Sequence, residues 1–164
     1  MSDPAPTSAE ADRVFLAEAV RLAVANVAEG GGPFAALVVK DETIVGRGGN
    51  RVTRDNDPTA HAEVVAIRDA CARLGSFQLT GCTVYASCEP CPMCLAALYW
   101  ARPARVVYAA TAEDAAAAGF DDRFIVEEFL RPREARSLPV RRLVCDDAMA
   151  PFRAWAAKED RIPY

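Results

Sequence analysis

The sequence lacks the features of a secreted or membrane-bound protein. None of its apolar runs approaches the length of about 20 residues that a helix needs to cross a bilayer. It does not open with a positively charged segment followed by an apolar one, so no secretory signal is indicated. These absences favour a cytoplasmic protein. The length of 164 residues fits a single domain with a substantial core, and no linker or internal repeat divides residues 1–164.

Positive charge is also scarce. The 19 Lys and Arg residues are outnumbered by 23 Asp and Glu residues, and the net charge is −4. Nucleic-acid-binding domains usually have a basic balance, so the composition argues against a nucleic-acid partner. Five arginines do fall within residues 131–142, where they could form a phosphate-binding patch. The acidic balance of the whole chain favours a simpler interpretation, a solvated surface.

The sequence contains a single histidine, His61, which stands two residues before Glu63. About thirty residues later Pro90 precedes Cys91, and Cys94 follows three positions on. Imidazole nitrogen and thiolate sulfur are preferred zinc ligands, and a catalytic zinc keeps three protein ligands and one position for water. The pattern H-x-E followed by P-C-x-x-C is the signature of zinc-dependent nucleobase deaminases. The sequence therefore predicts one catalytic zinc ion held by His61, Cys91 and Cys94.

Glu63 is not a zinc ligand in this interpretation, and its carboxylate is left to move protons. Zinc lowers the pKa of a bound water toward neutrality. A carboxylate beside that water can take its proton and deliver protons to a ring nitrogen and to the departing amine. Without its neighbours, Glu63 would be interpreted as a solvated acid that complements the dipole at the start of a helix. Its position inside the motif favours the catalytic role.

The other cysteines leave one alternative open. Cys88 could join His61, Cys91 and Cys94 in a structural zinc site with four protein ligands, which would have no bound water and no catalytic role. We favour the three-ligand site, because Cys88 ends a predicted strand whereas the other two cysteines begin a helix. The remaining cysteines are interpreted as small buried apolar side chains: Cys71, Cys82 and Cys145.

Hydrophobic periodicity predicts an alternation of helices and strands in which both halves of the motif fall at helix N-termini. Open α/β sheets place their sites at such positions. A polar segment, residues 48–58, leads into the first half and is expected to form a pocket wall. Strands at 82–86 and 105–109 enclose a helix, so they should be parallel. The predicted helices cover 9–29, 60–74, 91–101, 112–118 and 149–158, with a helical or extended segment at 124–130, a hairpin at 34–46 and a last strand at 140–144.

The chain resembles the bacterial guanine deaminases, a branch of the cytidine deaminase-like superfamily. The resemblance covers nearly the whole chain. It rests on the stretches NDPTAHAE (56–63), SCEPCPMC (87–94), YWARP (99–103), AGFDD (118–122) and PFRAW (151–155), and on the final Tyr164. The zinc motif is common to the superfamily, whereas Trp100, the Phe-Asp-Asp triplet and Tyr164 point to the guanine branch. The resemblance implies an α/β, three-layer α-β-α fold around a central mixed five-stranded sheet.

The resemblance also implies roles for matching residues. Asn50 would hydrogen-bond the purine, and Phe34 and Trp100 would flank its ring. Asp122 would hold the reacting amino group and help to shuttle protons, and Tyr164 would close the pocket. The segment from about 149 to 164 would be exchanged within a homodimer, so that Tyr164 would act at its partner's site. The implied reaction is the zinc-dependent hydrolysis of guanine to xanthine and ammonia, a step of purine metabolism.

Three other functions stay open from the sequence. A deaminase of guanosine, or of an aminotriazine such as ammeline, would share the scaffold and differ in its pocket. A tRNA adenosine deaminase would need a phosphate-binding surface, for which residues 131–142 are a candidate. A zinc protein without catalysis would have no use for Glu63.

Overall fold

The structure is a computed structural model that describes residues 9–164. The described chain divides into two compact units, one ending at Val126 and one running from Glu127 to Tyr164. The prediction of one domain over residues 1–164, of which residues 1–8 lie outside the described part, stays a prediction. The elements in chain order are α1 (Ala9–Ala28), β1 (Ala35–Lys40), β2 (Thr43–Gly49), α2 (Val52–Asp55), α3 (Ala62–Leu74), β3 (Thr83–Cys88), α4 (Pro92–Ala101), β4 (Arg105–Ala110), α5 (Ala112–Ala117), α6 (Arg123–Leu130), a short 3₁₀ helix (Arg133–Ala135) and α7 (Ala150–Ala157).

The strands form one mixed sheet with the order β2-β1-β3-β4. Strand β1 pairs antiparallel with both β2 and β3, whereas β3 and β4 are parallel, as the predicted βαβ unit requires. The sheet therefore has four strands in the described chain, and the expected count of five was wrong. The predicted last strand, residues 140–144, has no regular structure. This five-residue segment follows Pro139 and contains the charged Arg141 and Arg142. A strand is stable only where a neighbouring strand completes its hydrogen bonds.

Helices cover both faces of this sheet, which confirms the three-layer arrangement. Successive side chains of a strand point to opposite faces. On one face Leu37 packs with α1 in a core cluster, and on the other Val38 packs with α3 and α4. Because both faces are covered, β1 and β3 are buried along almost their whole length and show no alternation of polar and apolar residues.

Small residues bring α3 unusually close to strand β2. The helix presents Ala62, Ala66 and Ala70, spaced four residues apart, and all three are buried. A Cβ added to Gly48 of β2 would lie 2.2 Å from the carbonyl oxygen of Ala62, so only glycine fits at this position. The close packing fixes the N-terminus of α3, where His61 and Glu63 are found, against the sheet.

The second unit, residues 127–164, is rich in exposed apolar side chains. Helix α7 carries Trp155, whose ring packs edge-on against Tyr164 with a centroid distance of 6.4 Å. Cys145 is exposed, so the prediction that it is a buried apolar residue was wrong. It lies outside regular structure, where its apolar neighbours Leu143 and Val144 are exposed too. Within residues 9–164, no helix combines the length and hydrophobicity needed to cross a bilayer.

Candidate active site

The N-termini of two helices converge on the predicted zinc ligands. His61 is the residue that caps α3, and its extended backbone (φ −68°, ψ 155°) turns its side chain away from the helix. Cys91 caps α4 in the same way, and its sulfur accepts a hydrogen bond from the backbone N–H of Cys94 at 3.5 Å. Pro92 starts α4 at a position where its missing N–H costs no hydrogen bond. Helix N-termini attract negative charge, which favours both thiolates.

The three side chains lie at distances that fit one zinc ion. The Nδ1 atom of His61 is 3.5 Å from the sulfur of Cys91 and 3.5 Å from the sulfur of Cys94. Their ligand atoms all lie within 4.8 Å of one another. A tetrahedral zinc with typical bond lengths holds a nitrogen and a sulfur ligand roughly 3.5 Å apart. The donor set of one imidazole and two thiols therefore fits zinc both in kind and in spacing.

The thiols and the imidazole influence one another's protonation. The hydrogen bond with Cys94 is the largest cause that lowers the pKa of the Cys91 thiol, to about 4. The same hydrogen bond raises the pKa of Cys94, because one proton is shared between the two sulfurs. The hydrogen bond to Cys91 raises the pKa of His61. The lowered pKa of Cys91 favours its thiolate, and a bound dication favours ionisation of the second thiol as well.

Glu63 lies in the first turn of α3 and is only 7% exposed. Burial is the largest cause that raises the pKa of its carboxyl group. A carboxyl group whose pKa moves toward neutrality can both accept and donate a proton at physiological pH. Its burial contradicts the alternative of a solvated first-turn acid.

A cavity of about 530 Å³ opens over these groups, within the usual range of about 300–1,000 Å³ for small-molecule sites. Its lining includes Phe34, Asn50, His61, Glu63, Cys91 and Asp122, all of which belong to the first unit. The polar segment before the first motif also contributes, through Val52 and Thr53 of α2. The sequence alone did not indicate that this segment contains a helical turn.

Asp122 and Asn50 reach the cavity from different elements. Burial, followed by the charge of Cys91, raises the pKa of the Asp122 carboxyl group. The backbone N–H of Asn50 donates to the carbonyl of Phe34 at 2.9 Å, which ties the end of β2 to the start of β1. Both predicted substrate contacts therefore lie beside the predicted zinc ligands.

The structure does not bring Trp100 to the cavity of its own chain. Trp100 lies in the last turn of α4 and is 63% exposed. The rise of about 1.5 Å per residue separates it by roughly 14 Å along the helix axis from Cys91, at the cavity end of the same helix. Tyr164 belongs to the second unit and is 74% exposed. Its proposed role stays a prediction.

Phe120 is an aromatic residue of the cavity lining whose role the sequence did not predict. Its ring meets that of Phe34 edge-on, with a centroid distance of 4.9 Å, and both line the cavity. The only signal in the sequence was its place in the AGFDD stretch, directly before the two aspartates. The pair offers apolar surface of the kind that a flat heterocycle needs.

Cys88 does not join the metal ligands. Its thiol donates to the carbonyl of Thr111 at 3.5 Å, and within residues 9–164 the only group of His, Cys, Asp and Glu side chains spaced for a metal is His61, Cys91 and Cys94. Strand β3 ends at Cys88, one element before the helix that presents the other two thiols. This arrangement of the described side chains favours the three-ligand site over a structural site with four protein ligands.

Comparison with known proteins agrees with this geometry. Residues 9–110 match the family described as the cytidine and deoxycytidylate deaminase zinc-binding region. The chain belongs to this deaminase family. Zinc is the metal of this family region, and His61, Cys91 and Cys94 are spaced to hold it.

Relatives of known activity share most of the chain. It is 56% identical over 142 residues to the guanine deaminase of Bacillus subtilis, covering 86% of this chain and 91% of that protein. The X-ray structure of guanine deaminase from Bacillus subtilis superposes with a TM-score of 0.90 at 52% identity, covering 93% of this chain and 98% of that one. A tRNA-specific adenosine deaminase of Aquifex aeolicus is 42% identical over 96 residues, which is 58% of this chain and 64% of that protein.

Proposed function

We propose that the protein is a guanine deaminase, which hydrolyses guanine to xanthine and ammonia in purine metabolism. The observation that carries this proposal is the buried carboxyl group of Glu63 beside the His61, Cys91 and Cys94 cluster, at the floor of a cavity of about 530 Å³. The extensive identity to a guanine deaminase, over 86% of the chain, supports guanine as the base.

The chain's own residues perform the binding and the proton transfers. Zinc supplies the activation of water, because it lowers the pKa of a bound water molecule. Glu63 takes one proton from the attacking water and delivers it to ring nitrogen N3, and it then moves the remaining proton of that water, from the new hydroxyl group on C2, to the amino group. A C–O bond forms at C2, the C–N bond breaks, and ammonia leaves. Asp122 accepts a hydrogen bond from the amino group, and Asn50 holds the purine edge.

Two aromatic side chains favour a bare purine. Phe34 and Phe120 meet edge-on and both line the cavity, where they offer an apolar surface to a planar ring. A nucleoside such as guanosine adds a polar sugar that would need further hydrogen-bonding partners. The smaller ring of ammeline would leave part of the apolar wall uncovered.

Measuring ammonia release from a panel of bases tests the assignment of guanine as the substrate. We expect kcat/KM for guanine to exceed that for guanosine, adenine, cytosine and ammeline by at least about tenfold. The cavity should match the shape of guanine and the pattern of hydrogen-bond donors and acceptors along its edge better than those of the other bases. Zinc-chelated protein is the control for background hydrolysis. Turnover of guanosine without turnover of guanine would contradict the proposal.

The arginine-rich segment gives little support to a tRNA substrate. Arg131 pairs with Glu128 at 2.8 Å, and Arg136 donates to the carbonyl of Phe129 at 3.2 Å. These two arginines are therefore engaged by a carboxylate and a carbonyl group just before their own segment. A tRNA deaminase would bind RNA with strong dependence on salt, which a binding titration at two salt concentrations detects.

We further propose a homodimer in which residues from about 149 to 164 are exchanged and Tyr164 acts at its partner's site. The exposed apolar side chains of the second unit support this, since large apolar patches usually mark interfaces. They include Leu143, Val144, Phe152, Ile162 and Tyr164, each more than 60% exposed. The exposed Tyr99 and Trp100 of α4 add a second apolar surface.

Mixed dimers test this exchange. Coexpression of Glu63→Gln with Tyr164→Ala chains gives dimers in which one site combines an intact Glu63 with a partner's intact Tyr164. If the residues act across the dimer, we expect the mixture to recover about a quarter of wild-type deamination, since random pairing restores that share of the sites. Each variant alone is the control. No recovery in verified mixed dimers would contradict exchange.

We also propose that the protein works in the cytoplasm. None of the six cysteines, all of which lie within residues 9–164, forms a disulfide, and Cys145 is exposed. Reducing compartments keep exposed thiols unpaired, whereas oxidising ones favour disulfides.

A further inference from the structure

Asn26 is a buried polar side chain in α1 that the site described above does not use. It is 5% exposed, and the other buried residues of this helix are Ala19 and Ala23. Asparagine is a poorer helix former than alanine. A buried amide is stable only where its hydrogen bonds are completed. A need for specific partners therefore explains asparagine at this position.

The partners of Asn26 are the two backbone segments that form one wall of the cavity. Its Nδ2 atom donates to the carbonyl of Gly32 at 2.7 Å and to the carbonyl of Asn50 at 2.9 Å. The N–H of Gly32 also donates to the Asn50 carbonyl, at 3.3 Å, and the N–H of Gly31 donates to the carbonyl of Asn26 at 2.8 Å. One amide group thus ties the loop after α1 to the residue after β2.

The amide sits in a slot that only glycines leave open. A Cβ added to Gly31 would lie 2.3 Å from the Nδ2 atom of Asn26, and one added to Gly49 would lie 2.2 Å from its Oδ1 atom. Neither position tolerates a side chain without moving Asn26. The two hydrogen bonds of the Nδ2 atom hold the carbonyls of Gly32 and Asn50 next to each other.

Through these bonds Asn26 holds the backbone of Asn50, from which the Asn50 side chain projects. The Oδ1 atom of Asn50 accepts from the N–H of Val52 at 3.3 Å, and a Cβ on Gly32 would lie 2.9 Å from that oxygen. Asn50, Gly31 and Gly32 line the cavity, whereas Asn26 lies behind them and is absent from its lining. Asn26 therefore supports the contact wall without touching a ligand.

We propose that Asn26 is a positioning residue that fixes the Asn50 amide against the purine and so sets substrate affinity. This inference rests on the proposed function, in which Asn50 contacts guanine. Removing the Asn26 amide frees the Asn50 carbonyl and the Gly31–Gly32 loop, and a shift of about 1 Å in a substrate-orienting group can cost up to about 100-fold. The zinc ligands and Glu63 belong to other elements, so the chemical step is affected less.

Steady-state kinetics with guanine test this inference on the zinc-loaded protein. For Asn26→Ala we expect KM to rise about 10-fold to 100-fold while kcat falls less than about 3-fold. Asn26→Ser retains one hydroxyl donor and should show an intermediate KM. The double variant with Asn50→Ala should have a KM no higher than Asn50→Ala alone, because the two residues act as one unit.

Asp12→Asn is the matched control for a loss of buried polar contacts in the same helix. Asp12 accepts from the Tyr85 hydroxyl at 2.6 Å and from Arg105 at 2.8 Å, in the first turns of α1. This variant should lower Tm and leave KM for guanine unchanged. Asn26 serves stability alone, and the inference is wrong, if Asn26→Ala also lowers Tm without changing KM for guanine. The inference is also wrong if the effects of Asn26→Ala and Asn50→Ala on KM are fully additive. The same follows if neither Asn26 variant folds.

A crystal structure of Asn26→Ala separates this inference from the proposed function. Displacement of the Asn50 side chain supports positioning whatever the substrate, and an unmoved Asn50 overturns it. Wild-type protein that releases no ammonia from guanine would instead contradict the proposed function.

Discussion

Glu63→Gln is expected to abolish guanine deamination while one zinc ion stays bound to each chain. The amide keeps the volume of the carboxyl group but cannot accept a proton. Glu63 is 7% exposed and lies two residues after His61, so its carboxyl group is shielded from water and close to the metal ligands. Positioned proton transfer contributes about 10²–10⁴-fold, so kcat should fall by at least that range. Ammonia release and metal analysis of the same sample measure both quantities.

Glu113→Gln is the matched control for this prediction. Glu113 also lies in the first turn of a helix, α5, but it is exposed and has no place in the cavity lining. The control should deaminate guanine at the wild-type rate. A Glu63→Gln variant that keeps more than about a tenth of kcat would remove Glu63 from the proton transfers.

Cys94→Ser is expected to lose the zinc ion and with it all activity. Cys94 is one of three side chains whose ligand atoms lie within 4.8 Å of one another, and a hydroxyl group is a poor substitute for a thiolate. Even residues that only support a metal ligand contribute about 10-fold to 100-fold to affinity, so loss of a ligand should weaken binding more than about 100-fold. Competition with a chromogenic chelator measures the change.

Cys88→Ser provides the comparison that separates the two kinds of zinc site. Its thiol bonds to the carbonyl of Thr111, so the variant should retain one zinc ion per chain with nearly unchanged affinity. A loss of zinc equal to that of Cys94→Ser would mean that four protein ligands hold the metal. Such a site would leave no position for water, and the deaminase mechanism would fail.

The zinc chemistry could be predicted from the sequence because its signal is local. Cys94 follows Cys91 by three positions along one helical turn, and His61 stands two residues before Glu63. Spacing of this kind fixes which side chains share a helix end, and only one histidine was available to complete the set. The periodic segments predicted most helices and strands for the same reason.

Predictions that depended on distant contacts were less successful. Residues 140–144 do not form a strand, because a strand also needs a neighbouring strand with free backbone hydrogen-bonding groups. Trp100 belongs to a specific motif but lies in the last turn of α4, away from the cavity end of that helix, so its contact with the purine ring stays a prediction. Neither outcome can be read from the residues themselves, since both depend on where an element lies relative to the others.

The sequence by itself determined the deaminase family and its metal, and it predicted the three ligands and the proton-transfer residue, because short-range spacing along two helix ends carries that signal. Only the tertiary structure decided which side chains complete the cavity. Phe120 meets Phe34 there from a segment more than eighty positions away along the chain, and Asn26 reaches Asn50 from a different layer of the fold. Cys88 is adjacent to the motif in sequence, yet it bonds to Thr111 and stays out of the metal site. Such contacts arise where helices pack on the sheet, and a local sequence pattern does not specify the distances between residues in different layers.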